Sequence, residues 1–232
     1  GHVFTIRCSD VGGVANPGVI CLSGKANGVS CVGNSNISAF MVDTGAHEIG
    51  HQFSGGHSWN NCPNSLAQLS ANTAYEPGSG STILSYSGAC GNQNIQGNND
   101  DYFHVGNVEQ FLSFINNTAT CSENIVSGNN TPEITMDIPK NLTIPIATPF
   151  ELDASAIDPD GDALTYNWEQ MDTGPISQLG NPMGGAPSFR SYPPSSESKR
   201  LFPRLNFITG GIGSNRDVLP LYNRNLNFRF TV

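Results

Sequence analysis

Three histidines are clustered in the stretch HEIGHQFSGGH, residues 47–57. His47 and His51 are four residues apart, so on a helix they share one face, and Glu48 directly follows the first of them. His57 comes six residues after His51, beyond a Ser-Gly-Gly turn. Three histidine nitrogens can hold one zinc ion and leave a fourth position open for water, as in catalytic sites. The stretch therefore predicts a catalytic type of zinc site, with the three histidines as metal ligands.

The apolar spacing of the surrounding sequence, residues 35–53, predicts that the first two histidines lie on a helix. This helix should end near Phe53, because Gly55 and Gly56 form a strong stop signal. A short HExxH pattern also arises by chance in helices that bind no metal. A pair of hydrogen-bonded core histidines is therefore the alternative interpretation, and the presence of His57 weighs against it.

Composition and charge exclude some classes of protein. The 232 residues suffice for one large domain or two of ordinary size, and only 12% of them are charged. In place of charged residues, the sequence is rich in Gly, Asn, Ser, Thr and Pro. This composition favours β-structure and ordered loops. A net charge of −9 argues against a nucleic-acid partner, because no basic patch is available to displace counterions. The sequence contains no transmembrane run, signal peptide or lipidation signal.

All six cysteines fall in the first 121 residues, and no two of them form a CxxC pair. They stand at positions 8, 21, 31, 62, 90 and 121. An even number confined to one region favours a disulfide framework over a metal site, although six cysteines allow 15 pairings. We therefore expect a secreted or cell-surface protein. The chain opens in a strand-like run and stops in another, LNFRFTV, so we expect an internal piece of a longer precursor.

The stretch before the histidines has the character of short strands and Gly-rich loops. The segment VGGVANPGVIC, residues 11–21, contains Pro17, which favours an edge strand. An edge strand beside a metal site could pair with an extended peptide. An irregular loop without a role in substrate binding is the alternative for this segment.

The sequence after the histidines alternates loop and helix. Residues 58–80 show no helix or strand pattern, and a loop this long usually shapes a site. A brief apolar turn follows at Ile83, Leu84 and Tyr86. A second, amphipathic helix is predicted by the spacing of apolar residues at positions 105, 108, 111, 112 and 115. His104 stands just before it, and packing at the helix entry is favoured over a ligand role.

Residues 1–121 resemble the later part of a metzincin catalytic domain, closest to the reprolysin-like (adamalysin-type) peptidases of secreted bacterial proteins. HEIGHQFSGGH and the downstream STILSYSG carry the resemblance. It implies that His47, His51 and His57 bind zinc, that Glu48 is the general base, and that Tyr86 can approach the metal. The implied fold is a partial α+β metzincin domain, because only 46 residues precede His47, where the family has an upper subdomain before the active-site helix.

Two positions depart from the family pattern. Ser54 occupies the glycine position of HExxHxxGxxH, and we expect Gly55 to absorb the turn one residue later. Leu84 stands where the methionine beneath the zinc is found, a volume-conserving exchange that usually costs less than about 1.5 kcal/mol. By analogy with adamalysin-type domains, the resemblance also implies the disulfides Cys21–Cys121, Cys62–Cys90 and Cys8–Cys31.

The composition changes after Cys121. Residues 122–131 are a polar linker, and residues 132–232 alternate strand-like runs with turns around Trp168. This region resembles the immunoglobulin-like β-sandwich modules appended to secreted bacterial proteins. The run DPDGD, residues 158–162, could hold Ca²⁺, although a solvated turn between two strands is favoured.

Taken together, these features predict a zinc metalloendopeptidase that acts on protein or peptide substrates. An inactive scaffold or binding protein with a surface or assembly partner on its β-sandwich is the alternative, and a zinc hydrolase of another bond is a third interpretation. Zinc is the expected cofactor in the first and third cases.

Overall fold

The computed structural model describes residues 1–6, 8, 12–32, 36–136, 141–210 and 214–232. We refer to residues 1–121 as the N-terminal region and to residues 132–232 as the C-terminal region. The N-terminal region begins with a three-stranded sheet formed by β1 (Val3–Thr5), β2 (Gly13–Ala15) and β3 (Gly28–Cys31). The strand order is β1-β3-β2, with β1 parallel and β2 antiparallel to β3. The strand β2 therefore lies at the sheet edge within the described residues, which confirms an edge strand for residues 13–15, whereas Pro17 lies in the turn that follows.

One interrupted helix follows the sheet. It consists of α1 (Ile37–Phe40), a π-helical turn (Met41–Ala46) and α2 (His47–Gln52). Asn36 caps its start by accepting a hydrogen bond from the Ala39 amide at 2.8 Å. Phe53 is its C-cap residue, so the helix ends where the sequence predicted. The π-helical turn, a rare feature that is frequent at functional sites, directly precedes His47.

The segment between α2 and the next helix is mostly irregular. It contains two 3₁₀ turns, Pro63–Gln68 and Gly91–Gln93. The first of them lies within residues 58–80, so the expectation that this loop contains no helix is wrong there. An isolated parallel bridge joins Trp59 to Glu76. Pro63 favours the start of the first 3₁₀ turn at this residue. The first N–H of a helix has no partner within the helix, so proline loses no hydrogen bond there.

The predicted second helix is α3 (Val105–Asn117). His104 is its N-cap residue, with Nδ1 accepting from the Gly106 amide at 3.1 Å, which confirms a role at the helix entry. Phe111 packs against aromatic neighbours on one side of α3. Leu112 is nevertheless 53% exposed, and Val108 and Ile115 are also exposed. The apolar face of this helix is thus buried only in part.

Three disulfides close the N-terminal region. They join Cys8 to Cys31, Cys21 to Cys121 and Cys62 to Cys90. All three pairings agree with those implied by the resemblance. Among the described residues, no helix has the length and apolar character needed to cross a membrane.

The C-terminal region consists of short strand pairs and loops. Its elements are β4 (Glu133–Ile134), β5 (Phe150–Leu152), β6 (Ala156–Ile157), β7 (Asn167–Gln170), β8 (Arg200–Phe202), α4 (Leu205–Thr209) and β9 (Phe228–Thr231). They form three antiparallel pairs, β4–β6, β5–β8 and β7–β9. A buried cluster around Trp168 forms the core. A two-sheet immunoglobulin-like sandwich is not confirmed by these pairs.

Buried polar contacts join the two regions. They include the Val105 amide to the Glu169 carboxylate (3.0 Å), Arg190 to Asp100 (2.9 Å), and the Ser177 amide to Asn60 Oδ1 (2.9 Å). Residues 122–131 between the regions are exposed, and their role as a linker stays a prediction. The C-terminal region therefore packs directly on the region that carries the histidines.

Candidate metal centre

The three histidines of the predicted site converge. His47 and His51 lie one turn apart on α2, and the backbone turn after α2 brings His57 back toward them. The Nε2 atom of His51 lies 3.2 Å from Nε2 of His47 and 3.1 Å from Nε2 of His57. Among the described residues, these three form the one group of histidine, cysteine or carboxylate side chains arranged to hold a metal ion.

Backbone carbonyls fix the tautomer of each ring. Nδ1 of His47 lies 2.7 Å from the Ile83 oxygen, Nδ1 of His51 lies 2.8 Å from the Gly55 oxygen, and Nδ1 of His57 lies 2.7 Å from the Gln68 oxygen. A carbonyl oxygen only accepts, so each neutral ring must carry its proton on Nδ1. The three Nε2 atoms then face one another with lone pairs only.

This arrangement fits a cation. Three facing lone pairs cannot hydrogen-bond to one another, and a shared metal ion would satisfy all of them. Two ligands of a tetrahedral zinc site with zinc–nitrogen distances of about 2.0–2.1 Å lie about 3.3 Å apart. The observed separations of 3.1 and 3.2 Å are close to that value. The histidine set is therefore compatible with zinc.

Burial keeps the three rings neutral, which is the form that binds a metal. Burial lowers the pKa of His47 well below its usual value, and the other two histidines lower it further. Burial likewise lowers the pKa of His51. It lowers the pKa of His57 to about 4, with a smaller contribution from His51. No proton therefore has to leave these rings near neutral pH before a metal ion binds.

Glu48 lies under the edge strand β2. Its side chain is buried, and burial raises the pKa of Glu48 to about 7. Its Oε2 atom has no hydrogen-bond partner among the described residues. A Cβ atom at Gly13 would lie 2.6 Å from Glu48 Cγ, so only glycine allows the strand to pass this closely. The carboxylate is thus held between α2 and a strand with no side chain in the way.

The apolar turn expected below the histidines packs against α2. Leu84 is fully buried, and its Cδ atoms contact the glycines of the helix end. A Cβ atom would lie 3.3 Å from Leu84 Cδ2 at Gly50 and 2.5 Å from Leu84 Cδ1 at Gly55. Leu84 therefore fills the space against the end of α2, and its neighbour Ile83 supplies the carbonyl that orients His47.

The turn toward His57 is made by Ser54. Its φ is 74°, in the left-handed region that favours glycine, whereas Gly55 does not have positive φ. The expectation that Gly55 absorbs the turn is therefore wrong. The physical reason is local, because the Ser54 amide donates to the His51 carbonyl at 2.8 Å and closes the helix at this residue.

Glycine at position 54 should stabilise the protein. A left-handed conformation costs an L-residue roughly 1–2 kcal/mol, and the extra freedom of glycine in the unfolded chain offsets about half of it. We expect Ser54→Gly to raise the free energy of unfolding by about 0.5–1 kcal/mol in chemical denaturation. The control Ser113→Gly, inside α3, should lower it. A Ser54→Gly protein that is less stable than wild type would contradict the prediction.

Tyr86 stands beside two of the histidines. Its ring centroid lies 4.6 Å from that of His57 and 5.7 Å from that of His47. Its hydroxyl donates to the side chain of Gln68. Burial raises the pKa of Tyr86 to about 12, with a smaller effect from Glu48, so the hydroxyl keeps its proton near neutral pH.

Three residues near the site were not found by sequence reasoning. Gln68 orients both His57 and Tyr86, Gly13 makes room for Glu48, and Glu76 is buried behind the turn at Leu84. Gly13 carried a signal, since a glycine inside a strand pattern indicates close approach of another group. Gln68 and Glu76 lie in a loop whose sequence has no periodicity, so no signal marked them.

The DPDGD run forms a turn in the C-terminal region. Asp158 Oδ1 accepts from the amides of Asp160 and Asp162, at 2.8 and 3.2 Å, and Asp160 accepts from Asn130. Asp160 and Asp162 are exposed, and Asp158 is partly exposed. This is the geometry of a solvated Asx turn. No calcium site is shown among the described residues.

Comparison with known proteins gives one match. Residues 4–115 match the family described as Metallo-peptidase family M12B Reprolysin-like. No curated protein and no solved structure matches the chain significantly. The matched residues include the histidine cluster, Glu48 and the turn at Leu84. The match and the converging histidines together support a metzincin-like metallopeptidase family for the N-terminal region.

Proposed function

We propose that this protein is a secreted zinc-dependent metalloendopeptidase that hydrolyses peptide bonds with a water activated by Glu48. The observation that carries the proposal is the convergence of three histidine Nε2 atoms, each ring fixed by a backbone carbonyl. The reprolysin-like family match favours peptide bonds over other bonds. Three disulfides are consistent with an extracellular location.

The proposed roles of the residues follow from their positions. His47, His51 and His57 would hold zinc, which when bound polarises a water and a carbonyl. Glu48 would accept the proton of the attacking water and pass it to the leaving amine. Its buried position and raised pKa of about 7 suit both proton transfers. The Tyr86 hydroxyl keeps its proton and would donate to the developing oxyanion after leaving Gln68.

The edge strand β2 gives the substrate a place to bind. An extended peptide paired with β2 would run beside Glu48, because the strand passes directly over that carboxylate at Gly13. Glycine at this position lets the strand backbone lie against the carboxylate. That a surface or assembly partner binds the C-terminal region stays a prediction.

Metal removal tests the proposal. We expect about one zinc ion per purified chain, loss of casein cleavage on chelation, and recovery on adding zinc. His57→Asn should lose zinc, whereas His104→Asn should keep it, because asparagine can still cap α3. Cleavage that resists chelation would refute the zinc mechanism. An empty site in a correctly disulfide-bonded protein without cleavage would favour the inactive scaffold.

A further inference from the structure

Glu76 is a fully buried carboxylate behind the metal centre. Five donors surround it. Oε1 accepts from the Ser58 hydroxyl at 2.8 Å, from the Thr82 amide at 3.3 Å and from the Thr82 hydroxyl. Oε2 accepts from the Ser81 amide at 2.8 Å and from the Ser81 hydroxyl at 3.0 Å. Both oxygens are therefore fully used, and no ion pair of the described residues involves this carboxylate.

The residues that Glu76 binds adjoin two residues of the site in the chain. Ser81 and Thr82 directly precede Ile83, whose carbonyl lies 2.7 Å from Nδ1 of His47. Ser58 directly follows His57 in the chain. The carboxylate thus connects the turn that orients one proposed ligand with the backbone that carries another.

Backbone hydrogen bonds make this connection rigid. The Glu76 amide donates to the Ser58 carbonyl at 2.8 Å, and the Asn60 amide donates to the Glu76 carbonyl at 2.9 Å. The Ser58 amide donates to the Leu84 carbonyl, also at 2.9 Å. The segments before and after the turn are therefore held on both sides of the same carboxylate.

We propose that Glu76 is a positioning residue of the zinc site. Its carboxylate fixes Ser81 and Thr82 so that the Ile83 carbonyl meets His47, and it fixes Ser58 so that His57 points into the site. Groups that hydrogen-bond directly to metal ligands typically change metal affinity 10–100-fold when mutated, and Glu76 acts on one such group, the Ile83 carbonyl. The inference rests on the proposed function, since it concerns the same three ligands.

The donor set explains why a carboxylate is needed. Hydroxyl groups can rotate and become acceptors, but backbone N–H groups cannot. Each oxygen of Glu76 receives one backbone N–H, from Thr82 on Oε1 and from Ser81 on Oε2. A glutamine amide would therefore place its NH₂ against a backbone N–H in either orientation. The turn must shift to relieve this contact, and the Ile83 carbonyl shifts with it.

The test is the zinc affinity of Glu76→Gln, measured by competition with a chelator, together with the visible spectrum of the Co²⁺-substituted protein. We expect an affinity about 10-fold or more below wild type and an altered cobalt spectrum. Glu109→Gln, an exposed glutamate on α3, is the matched charge control and should bind zinc like wild type. Phe189→Leu, in the core of the C-terminal region, controls for general loss of stability.

The outcomes separate the inference from the proposed function. Zinc affinity and cobalt spectrum unchanged in Glu76→Gln would overturn the positioning role. The positioning role would also be overturned if Phe189→Leu, destabilised to the same extent as Glu76→Gln, lost the same zinc affinity. If Glu76→Gln does not fold, Ser81→Ala is the substitute, because it removes one hydrogen-bond donor to Glu76. This variant should bind zinc several-fold more weakly than wild type. An unchanged zinc affinity would count against the inference. A wild-type protein that binds no zinc would instead refute the proposed function itself.

Discussion

Glutamine in place of Glu48 is expected to lower peptide cleavage by about 10²–10⁴-fold, the usual contribution of a general base. A glutamine amide has nearly the same shape but cannot take a proton from water at neutral pH. Glu48 is not one of the three proposed metal ligands, which are all histidines. Zinc should therefore remain bound at about one ion per chain. The measurement is kcat/KM on a peptide substrate, with zinc content determined on the same sample.

The surroundings of Glu48 make the substitution well tolerated. The carboxylate is 8% exposed and has one oxygen without a partner, so a neutral amide of the same size relieves a buried charge. The variant should therefore fold and keep its melting temperature. Glu109→Gln provides the control, since its exposed carboxylate forms a surface ion pair with Arg229. Cleavage by Glu48→Gln at the wild-type rate would rule out Glu48 as the base.

The metal centre could be largely predicted from sequence because its groups are close together in the chain. His47, His51 and His57 follow from helical geometry and one turn, and the structure brings their Nε2 atoms together. The supporting groups could not be predicted in the same way. The pairing of Glu76 with Ser58 and Thr82 depends on how a long irregular loop folds back, which no periodic pattern encodes.

The C-terminal region shows the same limit for strands. Alternating apolar residues predicted strands near Trp168 and in the last residues, and both form, as β7 and β9. The run LTIPI, residues 142–146, has similar residues but forms no strand in the described part of the chain. Strand formation depends on a partner supplied from elsewhere, so short apolar runs with equal propensity can differ in outcome. The sequence also predicts a strand at EITMDI, residues 133–138, and this run lies partly outside the described residues.

Loss of Glu169 is expected to destabilise both regions of the protein together. Glu169 belongs to β7 but accepts a hydrogen bond from the Val105 amide, the first residue of α3, at 3.0 Å. It also accepts from the Ser191 hydroxyl and lies 3.7 Å from Nε2 of His104. A carboxylate at a helix N-terminus is favourable, and its removal leaves buried donors unpaired. We expect Glu169→Ala to lower the free energy of unfolding by about 2–3 kcal/mol.

The two tryptophans of the chain allow each region to be followed separately. Trp59 is buried in the N-terminal region and Trp168 in the C-terminal region. Trp59→Phe leaves fluorescence from the second alone, and Trp168→Phe leaves fluorescence from the first. In denaturant titrations, both reporters should give the same midpoint, and Glu169→Ala should lower the two midpoints equally. Glu133→Ala, an exposed glutamate in the same region, should change neither.

The contacts between the two regions explain why the two unfolding midpoints should shift equally. The capping carboxylate, the ion pair between Arg190 and Asp100 and the amide contact of Asn60 with Ser177 all cross between the regions. Regions that share buried polar groups lose the partners of those groups when either one unfolds, so their unfolding is coupled. A midpoint lowered for Trp168 alone would show that the regions unfold independently and that Glu169 does not stabilise α3.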